Sequence, residues 1–409
     1  MKKIYLVIAF LSLFFNLYAQ KQDVIKSNRQ GATTGIVNSL NEVMIPMETL
    51  SPDSSFSDIR ILKQRLKNRN IVALGEGTHG TKEFFQYKDR LIRFLVSELG
   101  YKAIAFESDF AAVQYLDHYI NHQTDQITTG YGGFPLTKET RLMLSWLREY
   151  NQAKDADDRV HLYGIEARGF NNISDSILNS FSDLPEACKQ VLTKIKQTGY
   201  TDLTKKDIQD VKTIIPQLEQ HVLRHDNVLY RHYVNLLAQL TNNYLAYKVG
   251  HRDQYMAENT SWIIENTNSK NVILWAHNGH LSKTAIYKGY TLGNRLYEKY
   301  GSGYFAIATT FNKGEVTVSV RKKGKRVYQK AYYPEVTSKI DYAYYLKQSK
   351  NPNFMIDMSA VKDHDVLQPF FLKKRLLRMI GATGGILKAP LSISENFDLL
   401  IYINSTHAG

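Results

Sequence analysis

Side chains that can transfer a proton or bind an anion stand directly after four short apolar runs of this chain. Each run has the length of a buried β-strand, and each is followed by Glu, His or Arg. Because ligands bind at the carboxyl ends of strands in an open parallel sheet, these side chains are predicted to meet at one site. The residues concerned are Glu76, His79, Glu107, Glu166, Arg168, His277 and His280.

The histidines and glutamates of this set indicate acid–base chemistry. His79 is a candidate general base, because an imidazole with a pKa of ~6.5 can accept a proton from water near neutral pH. Glu76 or Glu107 could orient that imidazole and stabilise its charged form. His277 and His280 are three residues apart and would share one face of a helix that began there. This pair could hold a substrate oxygen, protonate a leaving group or bind a metal.

Covalent nucleophiles are not evident in the sequence. The Gly-x-Ser-x-Gly pattern of serine hydrolases is absent. Cys188 is the only cysteine and lies in a predicted helix, so a thiol nucleophile, an internal disulfide and a cysteine-based zinc site are not expected. The chemistry that remains is direct attack by an activated water molecule.

The motifs allow two other interpretations. The Gly-Glu-Gly-Thr-His-Gly loop at 75–80 has the glycine spacing of a phosphate-binding loop, but a glutamate and a histidine are poor companions for a pyrophosphate. The zinc motif His-Glu-x-x-His is not present. A divalent metal held by His79, His277 and a carboxylate remains chemically possible, although no cofactor is required by the expected reaction.

The elements that must position these residues alternate between strands and helices, which predicts an α/β fold with a mainly parallel central sheet flanked by helices. A long helical region over 171–266 reads as an inserted helical subdomain, and 315–333 alternates like a β-hairpin. The predicted helices include 81–99 and 138–152. The predicted strands are 71–74, 102–106, 160–165, 271–276, 304–309 and 399–403.

The N-terminus has the layout of a signal peptide, with Lys2 and Lys3 before an apolar run over 4–15. Cleavage is expected after Ala19, which predicts a periplasmic or secreted protein; the alternative is a retained N-terminal anchor. Residues 20–50 are predicted to be flexible, and 51–409 to form the hydrolase domain.

The net charge of +13 is spread along the chain of 409 residues. The densest basic cluster lies at 321–326, between two β-rich stretches, and is expected to be a solvated turn. Nucleic acid is therefore not an expected partner, and no stable membrane insertion is expected once the signal peptide is removed.

An ordered set of motifs from about residue 55 to the C-terminus resembles the erythromycin esterase family. The glycine-rich loop alone is weakly specific, but its combination with Ala-His-Asn-Gly-His at the right distance is strongly specific. The matching segments are 75–80, 83–85, 105–107, 146–147, 252–259, 275–280, Gly293 and 304–310.

The resemblance implies opening of a macrolide lactone ring by water, without a covalent intermediate. His79 matches the family's proposed general base, and Glu76, Glu107 and His277 match its other active-site positions. Lys88 stands where the family commonly has arginine, and it keeps the charge without the forked geometry. The residues predicted to bind substrate are His280, Lys88, Glu166 and Arg168.

The substrate class follows less firmly from the resemblance than the reaction class, because many family members act on other compounds. The partner expected is a small-molecule ester, with a macrolide first. The alternatives are the same hydrolysis of another natural product or of a glycan ester, and a non-catalytic periplasmic protein that binds metal or haem.

Overall fold

A computed structural model describes residues 31–129, 133–199, 202–286, 289–323 and 325–409. The predicted signal peptide and residues 20–30 lie outside the described residues. Within the ranges described, nine strands form one mixed sheet. They are β1 (Ile45–Pro46), β2 (Ile71–Glu76), β3 (Ala103–Asp109), β4 (His161–Glu166), β5 (Val272–His277), β6 (Tyr304–Lys322), β7 (Lys325–Tyr333), β8 (Asn353–Asp357) and β9 (Leu399–Thr406).

Helices connect the strands and cover both faces of the sheet. The first, α1, spans residues 31–43. The others are α2 (Lys63–Leu66), α3 (Lys82–Leu99), α4 (Phe110–Ile120), α5 (Lys138–Gln152), α6 (Phe170–Ser180), α7 (Glu186–Gln197), α8 (Lys205–Val222), α9 (Val228–Leu245), α10 (His251–Asn266), α11 (Asn278–Leu281), α12 (Leu292–Tyr300), α13 (Tyr342–Leu346), α14 (Met358–Val361), α15 (Leu367–Leu372) and α16 (Ile393–Asn396).

The strand order is β1-β8-β9-β6-β2-β5-β3-β4, with β7 paired to β6. All neighbours from β9 to β4 run parallel, whereas β1, β8 and β7 join antiparallel. The carboxyl ends of β2, β5, β3 and β4 therefore lie at one edge, and Glu76 is in register with His277. The predicted fold class, including the parallel sheet and the hairpin region, is confirmed.

The apolar runs become strands because they are buried on both faces, as parallel strands in α/β proteins usually are. Alternate residues of β2 belong to two different core clusters: Val72 and Leu74 face α3 and α5, whereas Ile71 and Ala73 face α10 and α12. These two layers hold the sheet rigid, which fixes the positions of the side chains at its edge.

The inserted helical subdomain is built by α6 to α9, which pack around an apolar cluster of their own that includes Cys188. The last inserted helix, α10, behaves differently, since Met256, Ala257 and Ile263 pack against the sheet. The helical region thus divides into an outer bundle and one helix that belongs to the core.

The described part of the segment predicted to be flexible is ordered. Residues 31–43 form a helix, β1 pairs with β8, and Leu40 and Met44 are buried. Leu40 and Met44 belong to the core cluster that contains Phe354 and Ile356 of β8, so the segment completes the core there. A second difference is that the predicted strand at 304–309 and the first hairpin strand are one continuous strand, β6.

Within the described ranges, the structure contains no helix that is both long enough and apolar enough to cross a membrane.

Candidate active site

Close backbone packing explains why the loop at 75–80 contains glycines. A Cβ atom on Gly75 would lie 2.4 Å from the carbonyl oxygen of Ile307, and one on Gly80 would lie 2.1 Å from that of Thr317. The Gly77 amide donates to Thr309 Oγ1 at 2.8 Å, which ties the loop to β6. The loop is thus held against the neighbouring strand, and it delivers Glu76 and His79 to the sheet edge.

Glu76 is a buried carboxylate with three partners. Its Oε1 is 2.7 Å from Nδ1 of His79, while Oε2 accepts from Lys88 Nζ at 2.8 Å and from Trp275 Nε1 at 2.8 Å. Burial alone would raise its pKa, but Lys88 and His79 lower the pKa of Glu76 to about 2. Glu76 is therefore ionised at neutral pH and can hold a proton on Nδ1 of His79.

His79 is the most accessible of the four predicted catalytic residues, with 36% of its side chain exposed. Burial acts to lower its pKa, but the hydrogen bond and charge of Glu76 prevail and raise the pKa of His79 above its ordinary value. With Nδ1 engaged by the carboxylate, Nε2 is the nitrogen left to accept a proton. This is the arrangement of a histidine base oriented by an acidic residue.

His277 ends β5, and its ring centroid lies 5.0 Å from that of His79. Its Nδ1 accepts from the Gly279 amide at 3.1 Å, which places the proton of the neutral ring on Nε2. Burial, helped by the charge of His79, lowers the pKa of His277 to about 3. Among the described residues this Nε2 has no hydrogen-bond partner, although it is buried. The site therefore contains an unused neutral donor beside the candidate base.

A second group of charges is organised by Arg252, at the start of α10. Its guanidinium binds both carboxylate oxygens of Glu166, at 2.8 and 2.7 Å, and donates to Glu107 Oε1 at 2.7 Å. The other oxygen of Glu107 accepts the His277 amide at 2.8 Å. Burial would raise the pKa of Glu107, but the charge of Arg252 and the hydrogen bond from the His277 amide hold it well below its usual range.

His280 lies in the single turn of α11 and belongs to the group around Arg252. Arg252 donates to its Nε2 at 2.9 Å, and its Nδ1 lies 2.8 Å from Asp253 Oδ1. Because an arginine can only donate, Nε2 of His280 must accept, and Nδ1–H donates to Asp253. The helix expected at His277 and His280 is present as α11. The contacts with Arg252 and Asp253 orient His280 toward the charge network.

Lys88 and Arg168, the remaining predicted residues, differ in how deeply they are buried. Lys88 on α3 is 1% exposed and lies behind Glu76, with its ammonium 4.2 Å from the centre of a Trp275 ring. Burial lowers the pKa of Lys88 to about 8, although Glu76 and Glu107 oppose this shift. Arg168 binds Glu166 at 3.0 Å and is 46% exposed. Contact of either basic residue with substrate remains a prediction.

Arg252, Asp253 and Trp275 also belong to the site, although none of them follows the end of a predicted strand. Arg252 and Asp253 begin a helix that follows no strand, and Trp275 lies inside an apolar run. Their signal in the sequence is membership of the motif segments at 252–259 and 275–280. Only the fold shows that Arg252 is the counter-ion of two strand-end glutamates.

The part of the chain that the structure describes contains one cluster of side chains with the spacing of metal ligands. The only trio of His, Cys, Asp or Glu ligand atoms within 4.8 Å of one another is formed by Asp183, His221 and His225. His79 and His277 are not part of that trio. The prediction that a metal could bind between them remains without a test.

The fold and this site define a class of protein. The family model described as Erythromycin esterase matches residues 96–406. The chain therefore belongs to the erythromycin esterase family, whose members are hydrolases of the esterase class. Glu107 and His277 lie within the matched range, and Glu76 and His79 precede it.

A curated relative and two solved structures are similar to this chain. The chain is 26% identical to erythromycin esterase type II of Escherichia coli, over 76% of this chain and 82% of the relative. A solved succinoglycan biosynthesis protein, 24% identical, aligns with a TM-score of 0.80 over 92% of this chain and 98% of its own. A mutant erythromycin esterase in its open conformation, 19% identical, aligns with a TM-score of 0.64 over 87% and 96%. These two structures support the fold.

Proposed function

We propose that this protein hydrolyses a carboxylic ester with a water molecule activated by His79, and that its substrate is a macrolide lactone. The observation that carries the proposal is one pair of rings. His79 is bound through Nδ1 to an ionised glutamate, and 5.0 Å away His277 presents a buried Nε2–H without a partner among the described residues. At this separation, His79 can accept a proton from the attacking water while His277 donates a hydrogen bond to the ester carbonyl oxygen.

The base side of the reaction rests on Glu76. Its carboxylate keeps the proton on Nδ1 of His79 and favours the charged imidazolium that forms when Nε2 takes a proton from water. Lys88 and Trp275 bind the other oxygen of Glu76 from behind, so the carboxylate cannot turn away from the histidine.

The electrophile side rests on His277. A neutral imidazole can donate its Nε2–H to the ester carbonyl oxygen, and that hydrogen bond strengthens as the oxygen becomes negative. Because the pKa of His277 is about 3, the ring donates this proton in a hydrogen bond without serving as a base. The Gly279 amide donates to Nδ1 of His277 and so orients the ring, while Glu107 accepts the His277 backbone amide.

The reaction that follows conserves atoms and charge. Water attacks the lactone carbonyl carbon while its proton passes to Nε2 of His79, giving a tetrahedral oxyanion held by His277. The carbonyl re-forms, the ring C–O bond breaks, and the proton on His79 goes to the departing alkoxide. The product is an open-chain hydroxy acid that is heavier than the lactone by one water.

The macrolide substrate is supported by the family and by the name of the Escherichia coli relative. The charged network of Arg252, Glu166 and Arg168 lies at the same strand ends and is suited to binding polar substituents of a large substrate.

Incubation of the purified protein with erythromycin, followed by liquid chromatography and mass spectrometry, tests the proposal. We expect enzyme-dependent appearance of a product heavier than erythromycin by one water. No covalent adduct of the macrolide with the protein should form. An unchanged macrolide together with rapid hydrolysis of a simple aryl ester would retain the chemistry and reject the substrate. Failure with both classes of ester would reject the proposed function.

A further inference from the structure

Two histidines and one carboxylate converge at the outer end of the helical subdomain. His221 is on the last turn of α8, His225 follows four residues later, and Asp183 lies in the loop between α6 and α7. We propose that Asp183, His221 and His225 form a binding site for one divalent transition-metal ion of the zinc type. The site is separate from the residues proposed to act in ester hydrolysis.

The distances in this trio are those of co-ligands. Asp183 Oδ1 lies 3.4 Å from Nε2 of His221, and Oδ2 lies 3.4 Å from Nε2 of His225. Histidine–carboxylate pairs that hydrogen-bond among the described residues lie at 2.6 to 3.2 Å, and all are shorter than the two separations at Asp183. A direct charged hydrogen bond is therefore not what sets the separation at Asp183.

A metal ion accounts for that separation. Zinc binds histidine nitrogen and carboxylate oxygen at about 2.0 to 2.2 Å in tetrahedral geometry, so two ligand atoms of one ion lie about 3.4 Å apart. Each of the three residues has a ligand atom within 4.8 Å of those of the other two.

His221 supplies an independent indication. Its side chain is 5% exposed, and within the described ranges neither ring nitrogen has a hydrogen-bond partner. A buried polar atom without a partner costs free energy, and native proteins rarely leave one so. A metal on Nε2 would satisfy the nitrogen that faces Asp183.

The surroundings suit an ion with three protein ligands and an open position. The ring of Phe181 packs against both imidazoles, with centroids 4.8 Å from His221 and 4.9 Å from His225, which restricts their rotation. The outer side faces a surface depression lined in part by Asp226 and Tyr230, where water can complete the coordination.

A metal at this point would act as a cross-link within the subdomain. It would join the loop after α6 to the end of α8, two segments about forty residues apart in sequence. Such an ion stabilises the folded state in proportion to its affinity, because the unfolded chain does not hold the three ligands together.

The test is zinc binding to untagged, chelator-treated protein, measured by isothermal titration calorimetry and by the visible absorption of the cobalt(II) form. We expect one ion per chain and a rise in the melting temperature on adding zinc. Asp183→Ala and His225→Ala should each weaken binding by more than about tenfold and abolish that rise. Asp183 is 61% exposed, so its replacement should leave the metal-free fold intact.

His122→Asn is the matched control, since His122 also follows a histidine by four residues but belongs to no such trio among the described residues. It should bind zinc as the unaltered chain does. Equal zinc affinity in Asp183→Ala and the unaltered chain would overturn the proposal. So would absence of stoichiometric binding, or loss of the ion in His79→Asn instead of the Asp183 and His225 variants.

Discussion

At the residue scale, the proposed catalytic power comes from the way in which burial and charge set the protonation of two neighbouring histidines. Glu76 raises the pKa of His79, whereas burial lowers the pKa of His277 to about 3. The two rings are 5.0 Å apart, yet one is suited to gaining a proton and the other to remaining a neutral donor. Opposite pKa shifts in neighbouring titratable groups are a common basis for assigning acid and base roles.

Glu76→Gln tests the link between the carboxylate and the base. Since His79 must be neutral to act, activity should fall at low pH with a midpoint above the ordinary pKa of ~6.5. Glutamine removes the charge that raises the pKa of His79, so the acid limb of the kcat profile should move to lower pH while kcat itself falls. The measurement is kcat against pH for both proteins. A midpoint that does not move would show that Glu76 does not set the protonation of His79.

At the element scale, the site depends on the close contact between β2 and its neighbours. Glu76 and His277 are paired in register at the ends of β2 and β5, and Asn278 bridges to Thr309 on β6 through 2.7 and 3.2 Å hydrogen bonds. Gly75 makes this contact possible, because nothing larger fits between Asn278 and Ile307.

Gly75→Ala should therefore destabilise the protein by about 1 to 3 kcal/mol, the usual cost of overpacking a core, and should displace Glu76. Gly35→Ala is the control: Gly35 is in α1, no atom lies within 4 Å of its added Cβ, and alanine favours helix by about 0.5 to 1 kcal/mol. Urea denaturation should show a lower free energy of unfolding for Gly75→Ala and a higher one for Gly35→Ala. A Gly75→Ala protein as stable as the unaltered chain would contradict the packing described here.

The sequence was sufficient to predict the parallel strands and their terminal polar residues, because both follow from local patterns. It was not sufficient for Arg252, which meets Glu107 and Glu166 only when α10 packs back on the sheet. The pairing of β1 with β8 was also missed, because a two-residue strand carries no periodicity and is created by its partner. The structure at such positions depends on contacts between segments that are distant in the sequence.

At the scale of the whole molecule, the chain combines a rigid sheet with an outer helical bundle. Each has its own apolar core, while α10 belongs to the sheet and supplies Arg252. We expect the bundle to shape the substrate cleft, because it follows the strand that ends in Glu166 and precedes the strand that ends in His277.

Export of the protein is a further proposal at this scale. The basic start, the apolar run over 4–15 and Ala19 support a cleaved signal peptide. N-terminal sequencing of the protein isolated from its native host should begin near Gln20. Soluble cytoplasmic protein that starts at Met1 would reject export.

His79 is proposed to activate the water molecule that opens the substrate. Asparagine keeps polarity and hydrogen bonding at that position but cannot accept the proton. A positioned general base typically contributes about 10²- to 10⁴-fold to the rate. His79→Asn protein should therefore retain its circular dichroism spectrum and melting temperature while erythromycin turnover falls by that factor. Folded His79→Asn protein with more than about a tenth of normal turnover would contradict the account, since so small a loss is below what a general base supplies.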